Sequence, residues 1–131
     1  MKDDLFKLLE EKEYFEPASP ASDKAIEIAQ NQLGLVFNQD YIDYLHRYGA
    51  VSFYGHIWTG ISSFPGVDVV SVTKEARETN PLVSPDLYVI EEAHIDGIVV
   101  WQNSQGKIFQ TIPGCKPVQI CETLEEYISK I

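Results

Sequence analysis

Residues 88–112 read YVIEEAHIDGIVVWQNSQGKIFQTI, and this stretch decides the fold class. It contains three apolar runs that are rich in β-branched and aromatic residues, a composition typical of strands. Asp96-Gly97 separates the first two runs, and this dipeptide is typical of a tight hairpin turn. A second turn signal at 103–106 separates the last two. The stretch predicts three consecutive antiparallel strands, with a short edge strand to follow at 117–120.

Helical patterns come before this meander. The apolar spacing predicts a helix over 3–14, and a second helix that starts with Ser19 as N-cap and Pro20 at its first position. A third helix is predicted over 38–48, between Asn38 as N-cap and Gly49 as terminator. The sequence therefore begins with three helices.

Two further helices are predicted later in the chain. The valine-rich segment that starts at residue 67 suits a strand by propensity, yet its spacing behind Asp68 suits a helix. We predict a helix over 68–79. It ends there because the proline of the Asn80-Pro81 step disfavours helical geometry in the residue before it. A closing helix begins after Thr123, which forms a capping box with Glu126.

The remaining apolar runs, at 51–53 and 55–58, read as short strands, and a turn is predicted at 63–66. Together these elements predict an α+β fold. An antiparallel sheet of about five to six strands, including the C-terminal meander, is packed by the N-terminal helices and the closing helix. Residues 1–131 are predicted to form one domain.

Charge and composition exclude several classes of protein. The 131 residues include 20 acidic and 10 basic ones, for a net charge of -10, and no two basic residues are adjacent. This argues against nucleic-acid binding, which needs clustered Lys and Arg. No signal peptide or membrane span is apparent, so we expect a cytoplasmic protein that contacts no membrane. Cys115 and Cys121 are either two free thiols or a strained disulfide across the turn near Pro117.

No pattern in the chain indicates catalysis, a metal or a cofactor. The histidines at 46, 56 and 94 are far apart in sequence and no nucleophile motif accompanies them. The best group of metal-ligand types is Glu91, Glu92, His94 and Asp96, but in a strand Glu91 faces away from Glu92 and His94. We therefore predict that the protein is not an enzyme.

Aromatic and acidic residues on or beside the strands suit a protein-binding surface better. Aromatic side chains with polar tips often anchor interfaces, and carboxylates would attract a cationic partner. The predicted contact residues are Tyr54, Trp58, Tyr88, Glu91, Glu92 and Asp96. Trp101 and Phe53 are predicted to fill the core instead.

Several of these residues also form a family pattern. Its parts are Leu33-Gly34, residues 37–41, Leu45 and Tyr48-Gly49, then Gly55, Thr73, Arg77, Pro81, an Ile90-to-Gly97 hairpin and the helix from Thr123. Over roughly residues 15–131 the chain resembles the SUKH superfamily, which includes the Smi/Knr-type regulator of yeast cell-wall assembly and many bacterial immunity proteins. Asn38 stands where that family usually has proline, and asparagine keeps the helix start.

The resemblance implies a non-catalytic binding domain. Bacterial members of the superfamily typically neutralise polymorphic toxins by binding their C-terminal toxin domains, which are often nucleases. An acidic member would cover a cationic substrate site by imitating the charge of nucleic acid. Two alternatives stay open: a regulatory scaffold module of the Smi/Knr type, and a small-ligand-binding domain with a pocket lined by Trp58 and Tyr88.

Overall fold

One antiparallel sheet organises the molecule, and its strands lie side by side in the order in which they occur in the chain. The computed structural model describes residues 2–64 and 66–131, and within them the sheet has seven strands. They are β1 Glu16–Pro17, β2 Val51–Phe53, β3 His56–Trp58, β4 Tyr88–Glu92, β5 Val99–Gln102, β6 Ile108–Thr111 and β7 Val118–Cys121.

Five helices accompany the sheet in the described residues. They are α1 Lys2–Glu10, α2 Asp23–Leu33, α3 Gln39–Tyr48, α4 Val69–Thr79 and α5 Leu124–Ser129. The predicted α+β class, the C-terminal meander and the flanking helices are confirmed. The sheet has one strand more than expected, because the two-residue β1 pairs with β2. Pro65, in the turn predicted at 63–66, lies outside the described residues.

Hydrophobic residues fill the space on both faces of the central strands. Val89 and Trp101 stand opposite each other in β4 and β5 and belong to a cluster that α4 covers with Val72 and Ala76. Ile90 and Val100 belong to a larger cluster on the other face, where α1, α2, α3 and α5 contribute residues. Burial on both faces explains why β4 and β5 read as apolar runs rather than as alternating patterns.

Thr59, directly after β3, connects α3 to the sheet. Its hydroxyl donates to the carbonyl of Val89 at 2.6 Å and lies 2.9 Å from the hydroxyl of Tyr41. The Tyr44 hydroxyl donates to the Thr59 carbonyl at 2.8 Å. All of these side chains are buried, so the polar tips of the two tyrosines are satisfied inside the core.

Two glycines allow the chain to cross itself at close range. A Cβ on Gly60 would lie 1.7 Å from the Gly49 carbonyl oxygen, and a Cβ on Gly49 would lie 1.9 Å from the Ser19 carbonyl oxygen. The same crossing carries hydrogen bonds from Ile61 to Gly49 and from Val69 to Gly60. The end of α3, the start of α4 and the segment after β1 are therefore held together backbone to backbone.

The first two helices differ from their predicted bounds for reasons of tertiary structure. Helix α1 ends at Glu10 rather than residue 14, and Tyr14 has a φ of 60°, which no α-helix permits. Helix α2 is capped by Ser22, whose hydroxyl accepts from the Ala25 amide, and not by Ser19. The amide of Ala18 instead donates to the Ala50 carbonyl and holds this segment extended.

The other predicted helix ends agree closely with the structure. Asn38 and Asp68 cap α3 and α4 with their side chains, and Gly49 ends α3. The Thr123 hydroxyl accepts from the Glu126 amide at 3.0 Å. The Glu126 carboxylate accepts from the amide of Glu122 at 2.7 Å, one residue before the N-cap.

Two smaller findings concern the thiols and the helix lengths. Cys115 and Cys121 are both free, the first exposed and the second buried. Within residues 2–64 and 66–131, none of the helices combines the length and the apolar character that crossing a bilayer requires.

The crossing predicts unequal effects for two glycine substitutions. Gly34 and Gly49 have φ values of 67° and 74°, but a Cβ on Gly34 meets nothing within 4 Å. Gly34→Ala should lower the free energy of unfolding by ~1 kcal/mol, the cost of left-handed backbone. Gly49→Ala adds the clash with Ser19, for a loss of ~3 kcal/mol or more. Urea unfolding measures both; equal losses would contradict the crossing.

Candidate functional site

The six predicted contact residues divide into buried and accessible ones. Trp58 and Tyr88 are 0% exposed and Glu91 is 3% exposed, so these three side chains do not belong to the surface, which corrects their assignment as contacts. Tyr54 is 67% exposed, Asp96 is exposed and Glu92 is half-buried. A role of these three in binding stays a prediction.

Tyr88 is buried because its hydroxyl connects two parts of the core. It accepts from the amide of Asn38 at 3.0 Å and donates to Gln102 Oε1 at 2.7 Å. Its ring packs edge-on against Phe37 at 4.8 Å between centroids. The polar tip that made Tyr88 resemble an interface residue thus serves the start of α3. Since neither Tyr88 nor Trp58 is accessible, the two rings do not line an open ligand pocket.

Glu91 forms a buried polar cluster with the closing helix. Tyr127 of α5 donates to Glu91 Oε1 at 2.6 Å, and His56 Nδ1 lies 2.6 Å from Glu91 Oε2. Tyr127 also stacks on Trp58, with ring centroids 6.0 Å apart. Burial and then the negative charge of Glu91 raise the pKa of the Tyr127 hydroxyl. Both carboxylate oxygens have partners, so the cluster fastens α5 to β3 and β4.

Removal of the Tyr127 hydroxyl tests this fastening. Tyr127→Phe leaves one oxygen of a buried carboxylate without its donor, so we expect the free energy of unfolding to fall by ~1–3 kcal/mol. Combining it with Glu91→Gln in a double-mutant cycle, followed by urea unfolding, measures the coupling between the two side chains. Strictly additive losses would show that the contact does not stabilise the fold.

The β4–β5 hairpin presents an acidic tip. Asp96 and Gly97, with φ of 54° and 70°, form the centre of a turn in which the Ile98 amide donates to the Ile95 carbonyl at 3.0 Å. The hairpin predicted from Asp96-Gly97 is confirmed. Glu92 lies at its base, beside a cavity of about 200 Å³ that Glu75 also lines.

The best candidate group of metal ligands in the sequence, Glu91, Glu92, His94 and Asp96, lies in this same hairpin. Glu91 points into the buried cluster, whereas Glu92 and His94 line the cavity on the other side of the strand. Over the part of the chain that the structure describes, no group of three or more His, Cys, Asp or Glu side chains could hold a metal ion.

The β2–β3 hairpin presents a second accessible surface, which sequence reasoning found only in part. We call it the tyrosine groove: Tyr14, Glu16, Tyr54, His56 and Ile57 line an open depression of about 370 Å³. The Tyr14 and Tyr54 rings are nearly parallel, with an interplanar angle of 7° and centroids 6.4 Å apart. Both rings are mostly exposed, at 78% and 67%.

Both tyrosines of this groove have an unfavourable backbone conformation. Tyr14 and Tyr54 have φ of 60° and 37°, a region that bulky L-residues rarely adopt. Tyr54 and Gly55 form the two-residue loop between the paired residues Phe53 and His56, where Asn-Gly is the favoured sequence. A tyrosine in this position costs ~1–2 kcal/mol. The signal was present in the sequence as a Tyr-Gly between two short strands.

An apolar groove of about 510 Å³ continues from the tyrosine groove across the outer face of β2 and β3. Glu16, Ser52 and Ile57 line both depressions. Further along, Pro17 and Phe64 form the walls of the apolar groove, and Phe64 is 68% exposed. Sequence reasoning missed Ile57 and Phe64, because an apolar residue in a short strand or loop is usually read as core.

The chain already contains one guanidinium bound by aromatic rings and a carboxylate. Arg47 donates to Glu10 Oε2 from Nε at 3.2 Å and from Nη2 at 3.1 Å. Its guanidinium carbon lies 4.8 Å from the Phe6 ring centroid and 5.6 Å from that of Tyr48. The hydrogen bond from Tyr48 lowers the pKa of the Glu10 carboxyl. Burial opposes this effect, and the hydrogen bonds from Arg47 lower the pKa further.

The lowered pKa of Glu10 predicts a pH dependence of stability. Since the folded protein binds this proton less readily than the unfolded chain, the contribution is present above pH 4.5, the ordinary pKa, and is lost as the pH falls below it. Glu10→Gln should cost up to ~1 kcal/mol at pH 7, and the difference from wild type should vanish in acid. Urea unfolding at several pH values measures this; a gap that widens in acid would contradict it.

The fold is that of a small α+β protein, in which the strands of an antiparallel sheet follow one another in chain order and helices pack on both faces. A comparison with family models then matches residues 2–113 to the SMI1-KNR4 cell-wall family, SUKH_5, and the chain belongs to this family. The predicted membership of the SUKH superfamily is confirmed. The match ends before β7 and α5. A search of curated proteins found no match to the chain.

Proposed function

We propose that this protein is a non-catalytic immunity protein that binds and neutralises the toxin domain of a cognate protein toxin. The observation that carries the proposal is the family match over residues 2–113, since neutralisation of toxins is the function that the resemblance implies for bacterial members. In the proposed setting the protein acts in the cytoplasm, without a cofactor and without contact to nucleic acid or membrane.

Charge supports occlusion as the mechanism. With a net charge of -10, the protein would attract a cationic surface such as the substrate site of a nuclease, and raise the rate of encounter. The pairing of β4 with β5 places the half-buried Glu92 and the exposed Asp96 on one hairpin of the sheet. A surface that is already ordered loses little conformational freedom on binding.

The non-catalytic part of the proposal is supported by the hydrogen-bond partners of two of the three histidines. His46 Nε2 lies 2.6 Å from Asp23 Oδ1, and His56 Nδ1 lies 2.6 Å from Glu91 Oε2. Among the described residues, neither imidazole is hydrogen-bonded to a Ser, Thr or Cys side chain, the kind of nucleophile that a catalytic base would activate.

Protection of cells tests the proposal directly. A candidate toxin domain, taken from a gene next to the one for this chain, is expressed from an inducible promoter, with and without the chain, and growth is followed after induction. We expect the chain to restore growth and to co-elute with the purified toxin domain in size-exclusion chromatography. Persistent killing in cells that contain folded, soluble protein would overturn the proposal.

The acidic hairpin predicts how fast the complex forms. Glu92→Lys with Asp96→Asn changes the net charge from -10 to -7, and Asn tolerates the left-handed backbone of Asp96. We expect the association rate with the toxin domain to fall about 3- to 10-fold at low salt, and this difference to shrink at high salt. Stopped-flow binding measures both effects. Glu91 is left unchanged because it is buried.

The control for this experiment carries the same change in charge elsewhere. Glu27→Lys with Asp4→Asn also gives a net charge of -7, and both residues are exposed on other helices. If this control slows association as much as the hairpin variant, total charge rather than the hairpin controls the encounter.

A second candidate is a regulatory protein-binding module, which the family description, SMI1-KNR4 cell-wall, favours. The growth assay separates the two. A regulator would leave toxin-treated cells unprotected, whereas loss of the chain would alter the growth of cells that contain no toxin.

A further inference from the structure

We propose that the tyrosine groove binds an arginine side chain of the partner protein, and that the adjoining apolar groove takes an apolar residue next to that arginine. This inference deepens the proposed function, because it names the chemistry that the partner presents. Its test uses a free peptide, so it succeeds or fails independently of protection against a toxin.

Aromatic faces are the first element of the site. Tyr14 and Tyr54 are 78% and 67% exposed, and their nearly parallel rings come from separate parts of the chain. A guanidinium is planar and weakly hydrated, and it stacks on tyrosine faces better than an ammonium does. The two rings therefore suit arginine more than lysine.

A carboxylate is the second element. Glu16 lines the same groove and is exposed, and the pairing of β1 with β2 places it opposite Ser52. Carboxylates accept two parallel hydrogen bonds from a guanidinium. Glu11 and Glu13, both exposed, precede Tyr14 in the chain, so the surrounding sequence adds negative charge. A cationic ligand is the one that complements this region.

His56 also lines the groove. Its Nδ1 lies 2.6 Å from the buried carboxylate of Glu91, so a carboxylate stands beside any positive charge on this imidazole. The environment of Arg47 shows that this chain uses the proposed chemistry elsewhere: a guanidinium lies over Phe6 and bonds to Glu10.

Backbone geometry is an independent observation in favour of the site. Both tyrosines have positive φ, where Asn or Gly would be more stable. Unfavourable conformations of this kind concentrate at functional positions, where the surrounding structure maintains them. Here the fold gives up stability at two separate positions, and the result is one pair of stacked, accessible rings.

The adjoining apolar groove offers space for a second residue of the ligand. Ile57 lines both depressions, and Phe64 and Pro17 provide apolar walls beyond it. A partner loop with an arginine followed by a leucine-sized side chain would fill both depressions and bury Phe64, which is otherwise 68% exposed.

The experiment titrates the full chain with the blocked dipeptide acetyl-Arg-Leu-amide and follows backbone amide signals by NMR. Acetyl-citrulline-Leu-amide, which has the same shape without the charge, and acetyl-Lys-Leu-amide serve as comparison ligands. We expect shifts at Tyr14, Glu16, Tyr54 and His56, and an affinity for the arginine peptide about tenfold above that for citrulline. Equal affinities, shifts elsewhere, or no binding up to the solubility of the peptide would overturn the inference.

A substitution that raises the stability of the fold while removing part of the site gives the sharper test. Tyr54→Asn places a residue that favours the left-handed turn and deletes one aromatic wall. We expect its melting temperature to rise and its affinity for the arginine peptide to fall about tenfold. Val36→Ala, at a position that is 63% exposed outside both grooves, should leave the affinity unchanged. Undiminished binding by Tyr54→Asn would contradict the site.

Discussion

The close crossing of the backbone at Gly49 and Gly60 is the constraint on which the rest of the structure depends. No side chain fits between these segments, so α3 must end there and α4 must begin within hydrogen-bonding reach of Gly60. The amide of Ala18 bonds to Ala50 at the same place, which aligns β1 beside β2. The crossing thus sets the position of the β2–β3 hairpin and of both accessible grooves.

Around this crossing, the core contains several aromatic residues whose polar tips are used internally, although the buried Trp58 Nε1 has no hydrogen-bond partner among the described residues. Tyr41 and Tyr44 reach Thr59, Tyr88 joins Asn38 to Gln102, and Trp101 donates to Thr111 at 2.9 Å. Each of these bonds connects different elements or neighbouring strands, and each requires one particular packing arrangement. A core of this kind distinguishes the native arrangement from alternatives more sharply than aliphatic packing alone.

The parts of the fold that depend on local chemistry could be predicted from the sequence. Asn38, Asp68 and Gly49 cap helices through contacts within a few residues in sequence. The Asp96-Gly97 turn depends only on the residues that form it. The end of α1 and the start of α2 could not be predicted, because Tyr14 stacks on Tyr54 and Ala18 bonds to Ala50, both distant in the chain. For the same reason burial was misjudged at Trp58, Tyr88 and Glu91: an aromatic or acidic residue in a strand carries no local sign of what covers it, and Tyr127 lies 36 positions from Glu91.

The tyrosines with positive φ have a consequence for how this chain can change over generations. At positions 14 and 54, substitution to asparagine, aspartate or glycine relieves the backbone, so mutation and selection for stability alone would remove the aromatic rings. A lineage that keeps both rings also keeps their cost in stability, whereas one without the proposed ligand can regain that stability. Residues at these two positions in related chains would therefore indicate whether the proposed site has persisted.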